Sequence, residues 1–160
     1  MIEAEEFLKQ AIVALGKKRK KFTLSVGIVK AVEGNTCTVD NYEEVRLNAI
    51  IDNLESQFTI YPKEGSKVVI ARLDDSDSMF VARVSEIDKI TIKIGSQLFE
   101  MKDGKFSIKT GNISLKSILN DGFDQLDRAI ITTPSGPGQF SATDKAIFQE
   151  LKTKTNQLLS

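Results

Sequence analysis

The chain contains no histidine. This removes every Ser-His-Asp and Cys-His catalytic arrangement and every His-ligated metal site. Its one cysteine, Cys37, alternates with Thr36 and Thr38 and reads as a small barrel residue. A lone cysteine excludes an intrachain disulfide framework and points to a reducing compartment of origin. Asp74, Asp75 and Asp77 crowd one short loop. A calcium loop needs a longer ligand series with glycine at its sixth position and a closing Glu, so a solvated hairpin turn is the better reading. Ser135-Gly136 lacks the strand–turn–helix setting of a nucleophile elbow. Asn112-Ile113-Ser114 has the pattern of a glycosylation acceptor, but the chain begins MIEAEEF, with acid where a secretory signal needs base. These residues lead away from catalysis. The expectation is a protein that is not an enzyme, with no cofactor and no bound transition metal.

The other concentrated chemistry is charge. Lys17, Lys18, Arg19, Lys20 and Lys21 form an unbroken basic run. Such a run suits either an acidic partner or the solvated end of a helix, where cations complement the macrodipole. Without interleaved aromatics it is a weak nucleic-acid signal, and Lys+Arg equals Asp+Glu at 22 each. No nucleic-acid partner is expected; the run is assigned instead as an attachment segment. No stretch reaches the roughly 18 to 20 apolar residues that span a bilayer.

Four regions position these groups. Residues 1–21 read as an N-terminal helix plus the basic segment, with Ala4, Leu8, Ala11, Ile12 and Leu15 at helical spacing and Gly16 as its C-cap. Residues 22–86 read as a five-stranded Greek-key barrel of the OB type, with an SH3-like barrel as the competing assignment: FTLSVGIVKAV, TCTVD, Val45–Ile51, SKVVIARL and MFVARVSEI. Gly27 suggests a bulge or bend in the first strand, and residues 52–64 a connection between the third and fourth. Residues 87–117 alternate apolar and polar residues between turns at Gly95-Ser96, Asp103-Gly104 and Gly111-Asn112. Residues 118–160 read as two helices, the first capped by Ser117 and the second starting near Ser141 or Thr143, separated by a rigid connection, Thr133–Gly138. The class is mainly β.

The alternating stretch poses a physical problem. Ile90, Ile92, Ile94, Phe99, Met101, Phe106, Ile108, Ile113 and Leu115 fall on one face, with lysines, serines and threonines opposite. The stretch has no residues of its own to cover that face, and a lone small sheet of this kind is not stable. The expectation is that the same face of two other chains covers it, so that these residues form the core of a homotrimer.

The order of parts, with GKFSIKTGNISLKSIL and ITTPSGPGQFS, resembles the central spike proteins of contractile phage tails. These are the baseplate assembly protein V group and the spike subunits of related injection and type VI secretion systems. The resemblance covers about residues 23–135. It implies an intertwined trimeric β-prism or β-helix below an OB barrel, in a homotrimer that caps the tail tube and leads penetration of the host envelope. The implied partners are a second and third copy, tail-tube and baseplate hub proteins, and a separate tip protein. The implied location is the tail baseplate of a particle assembled in a bacterial cytoplasm. The basic run Lys17–Lys21 would then meet the hub. Many such spikes end in an apex where histidines bind iron; with no His here, that site does not carry over. An OB-fold module for single-stranded nucleic acid or oligosaccharide is the alternative.

Overall fold

The computed structural model describes residues 24–50, 56–72 and 77–160. The expected N-terminal helix, the basic run Lys17–Lys21 and two of the three loop aspartates, Asp74 and Asp75, lie outside these residues. Among the described residues the chain is mainly β, with a closed five-stranded barrel, a separate five-stranded sheet, a small ribbon and two helices.

The barrel is built from β1 (Leu24–Glu33), β2 (Thr36–Val39), β3 (Tyr42–Arg46), β5 (Lys67–Arg72) and β6 (Met79–Val84). β1 pairs antiparallel with both β2 and β5, β5 with β6, and β3 closes the barrel through a parallel bridge to β6 at Arg46 and Phe80. These pairings close the five strands into a barrel in the order β1-β2-β3-β6-β5. The interior is aliphatic and tight: Val29, Val39, Val45, Val68 and Ile70 are all buried, with Cys37 among them. Burial without a counter-charge pushes the Cys37 thiol up to about 11. Gly27 does not carry the expected bulge; the register shift falls between Val29 and Ala31. Gly27 instead allows a close approach, since a Cβ there would lie 2.5 Å from Val39 Cγ1 and 2.6 Å from Asp40 Oδ2. The Asp40 carboxylate accepts the Ile28 N–H at 3.2 Å, locking the crossing.

Two segments depart from the sequence reading. The third barrel strand begins at Tyr42 and ends at Arg46, not Val45–Ile51; after it, Leu47 to Ala49 bend away. The expected connection 52–64 contains a strand, β4 (Ser56–Pro62), which joins the second sheet rather than the barrel. Its partner is β7 (Ile87–Ile94), with Phe58 opposite Ile92 and Ile60 opposite Ile90.

From β7 the chain runs as a meander through β8 (Gln97–Lys102), β9 (Lys105–Thr110) and the short β10 (Ile113–Ser114). The turns fall at the three glycine-containing pairs read from sequence. At Asp103-Gly104 both residues have positive φ, 52° and 73°, the conformation of a tight type I′ hairpin. The sheet order is β10-β9-β8-β7-β4.

The first helix, α1 (Leu115–Arg128), starts earlier than expected. Its cap is Ser114, whose Oγ accepts the Ser117 N–H at 3.1 Å, so Ser117 lies inside the helix and not at its cap. The expected Thr133–Gly138 connection is a hairpin, β11 (Ile130–Thr133) with β12 (Gly136–Gln139). The second helix, α2 (Ala142–Leu158), begins where read, with Ser141 Oγ accepting the Asp144 N–H at 3.1 Å. The helices pair through Asn120 and Asn156 at 3.0 Å and through Lys152, which donates to both Asp124 oxygens at 2.7 Å. After α2 the chain returns to the sheet: Leu159 is buried, and the Ser160 N–H donates to the Phe106 carbonyl at 2.8 Å.

Candidate functional site: an uncovered apolar sheet face

Strand register decides which side chains of the second sheet share a face. One cross-strand row runs Phe58, Ile92, Phe99, Ile108; the next runs Ile60, Ile90, Met101, Phe106. Ile94 and Ile113 extend the same face toward α1, because Ile94 lies opposite Gln97, Gln97 opposite Thr110, and Thr110 opposite Ile113. The Phe99 and Phe106 rings meet at 6.1 Å in a tilted pair. All the residues expected in the apolar core therefore lie on this face except Leu115, which opens α1. The helix starts at that residue because Ser114 captures the Ser117 amide, which ends the strand one residue short.

The opposite face carries Tyr61, Lys89, Lys102, Lys105 in one row; Thr59, Thr91, Glu100, Ser107 in the middle; and Gln57, Lys93, Leu98, Lys109 beyond. Thr59, Thr91 and Ser107 are buried on it. Asn48 Nδ2 donates to Thr59 Oγ1 at 2.8 Å from the barrel side, and the long side chains of the flanking rows shelter the short ones between them.

Among the described residues the apolar face has no such cover. Ile94 is 59% exposed, Phe58 55% and Ile108 42%. The helices meet the sheet mainly along its β9 and β10 edge. At the α1 end the face deepens into a groove of about 480 Å³, floored by Ile92, Phe99 and Ile108 and walled by Ile113, Leu115 and Ile118. Toward the barrel, Phe58, Ile60 and Ile87 line a second hollow together with Val81 and Arg83 of β6. Neither helix has a buried residue, and Ile118, Leu126, Ile147 and Leu151 are exposed.

Phe58 and Ile60 were missed by the sequence reading. Their signal was the alternation Phe58-Thr59-Ile60-Tyr61, hidden in a segment read as a connection. Among the described residues, no group of three or more His, Cys, Asp or Glu side chains converges, and no helix is long and apolar enough to cross a membrane. A layered domain sets a second layer on an apolar sheet face, and the described residues leave Phe58, Ile92, Ile94 and Ile108 exposed here. No family model, curated protein or solved structure matches the chain.

Proposed function

We propose that the chain is a non-enzymatic structural subunit that assembles as a homotrimer, with three copies of the second sheet packing their apolar faces about a common axis as a short prism. The observation that carries this is the row Phe58–Ile92–Phe99–Ile108, in which all but Phe99 are exposed, beside its half-buried neighbour Ile60–Ile90–Met101–Phe106. A meander whose loops are two-residue turns cannot fold back over itself, so the missing layer comes from other chains. In this reading Ile90, Ile92, Ile94, Phe99, Met101, Phe106, Ile108 and Ile113 form the axial core, and Leu115 seals its end from the helix.

The trimer is read further as the central spike of a contractile tail or related injection particle, seated beneath the tail tube and leading it through the host envelope. Two features support this: the barrel-then-meander order and the resemblance of GKFSIKTGNISLKSIL to such needles; the short meander and the helices that follow it, in place of an apex, depart from that family. Lys17–Lys21 is assigned to contact with the hub, and the needle is either stubby or completed by a separate tip protein. The test is the mass of the protein in solution at micromolar concentration. Three chains are expected, and a stable monomer would remove the basis of the reading.

A further inference from the structure

The face opposite the apolar one holds an arrangement that the trimer leaves unexplained. Lys89 lies directly across from Lys102, and Lys102 directly across from Lys105. Like charges in direct cross-strand register destabilise a sheet. With Lys93 and Lys109, this face sets five lysines against the single carboxylate of Glu100, in a chain whose acids and bases balance. A surface built only for solubility intersperses the two signs. Among the described residues, none of Lys89, Lys102 and Lys105 is paired with a carboxylate.

The row ends in a cleft of about 670 Å³ between the sheet and the β1–β2 turn of the barrel. Lys89 and Lys102 line it with Asn35, Tyr61, Glu64 and Asp88. Lys89 Nζ sits 3.8 Å above the Tyr61 ring, which holds the ammonium at the cleft wall by a cation–π contact. Lys63 is occupied elsewhere, by Glu86 at 3.0 Å.

We propose that this cleft and the lysine row leading from it bind an acidic oligosaccharide. The lysines supply charge-assisted hydrogen bonds to acid groups on the sugar. Glu64, Asp88 and the Asn35 amide are acceptors and donors for hydroxyls. The same two carboxylates repel a polymer charged at every unit, which disfavours nucleic acid, and the Tyr61 face that could stack a base is taken by Lys89. A flat lipid surface does not enter a cleft. Lys89 and Lys105 are two strands apart, about 10 Å, a span comparable to one disaccharide unit. The inference does not depend on the trimer.

The experiment is titration calorimetry on the intact chain with a hyaluronan hexasaccharide, whose uronate carboxylates stand on every second sugar. Neutral maltohexaose and a single-stranded oligonucleotide of equal charge serve as comparisons, and the mass of each protein is recorded alongside. Saturable binding of the uronate at one site per chain is expected, with none of maltohexaose. Lys89→Gln and Lys102→Gln should each weaken it roughly tenfold. Lys145→Gln, on the far helix, should leave it unchanged. Absence of uronate binding at millimolar ligand overturns the proposal. So does oligonucleotide binding as tight as the uronate's, which would make the row a general polyanion patch. A monomeric mass with uronate binding intact would count against the trimer and leave this site standing.

Discussion

Replacing Ile108 with Asp tests the assembled core at one atom's depth. Ile108 ends its row, across from Phe99, and is 42% exposed in the single chain. Completing its burial in an assembly would contribute about 1 kcal/mol per chain, from the roughly 1.5–3 kcal/mol of a whole aliphatic side chain. An aspartate there forfeits that and brings a carboxylate with no partner into an apolar core, at a cost of at least several kcal/mol per chain. In the proposed trimer three copies would act in one small volume, and the combined penalty should prevent assembly. In an isolated subunit the same carboxylate faces water, and the fold should survive. Lys109 is the control: its side chain lies on the other face, across from Leu98, and Lys109→Asp should change stability by no more than about 0.5 kcal/mol. The assay is mass by light scattering, with thermal melting on the same samples. Ile108→Asp is expected as a folded, lower-mass species and Lys109→Asp as wild type. A full-mass Ile108→Asp, or dissociation by Lys109→Asp instead, would show that inside and outside have been exchanged and would refute the axial packing.

Cys37 should resist thiol reagents at pH 8 in the folded protein and react at once in denaturant, because burial keeps it a neutral thiol with its pKa pushed up to about 11. Its folded pKa is raised, so its contribution to stability is fully present below the unfolded thiol's range near 9 and is lost as pH climbs toward about 11; alkaline melting curves should show that decline. Gly27→Ala should destabilise the barrel by about 1–3 kcal/mol, since the new methyl meets the buried Val39 methyl at 2.5 Å; denaturant midpoints will report it, and an unchanged midpoint would mean β1 and β2 separate freely. Asp124 is held below the usual carboxylate range, first by its hydrogen bond to Lys152. Its folded pKa is depressed, so the helix-pair stability it contributes is present above about pH 4 and fades as pH falls through the lowered value; Asp124→Asn should flatten that acid dependence.

The parts of this fold legible in the sequence are those fixed by neighbours in the chain. Asp103-Gly104 declares a two-residue turn through local φ preferences, and the parity of Phe106 and Ile108 follows from pleating alone. The second helix start was readable to within Ser141 or Thr143, and the Asp144 N–H on Ser141 Oγ decides for Ser141. At the first helix Ser114 and Ser117 both fit a cap, and only the end of the β9–β10 pairing decides between them. β4 was illegible for a different reason. Its hydrogen-bond partner lies some thirty residues further along, in β7, and Pro62 at its end reads as a breaker until the strand is seen at a sheet edge, where proline is tolerated. The apolar face itself was readable as a parity. Its missing cover was readable only as a deficit, which the exposure of Phe58 and Ile94 then locates.

The excursion of β4 also determines how load passes through the molecule. The chain leaves the barrel after β3, forms an edge of the second sheet, returns to complete the barrel, and crosses again from β6 into β7. Hydrogen bonds clamp the crossings together, with the Lys63 N–H on the Glu86 carbonyl at 3.0 Å. A single tether would let barrel and sheet swivel like beads on a thread. Antiparallel strands of one ladder, each continuing into the barrel, oppose twist as a pair, so torque applied to one part reaches the other as shear between β4 and β7 rather than as rotation about a bond.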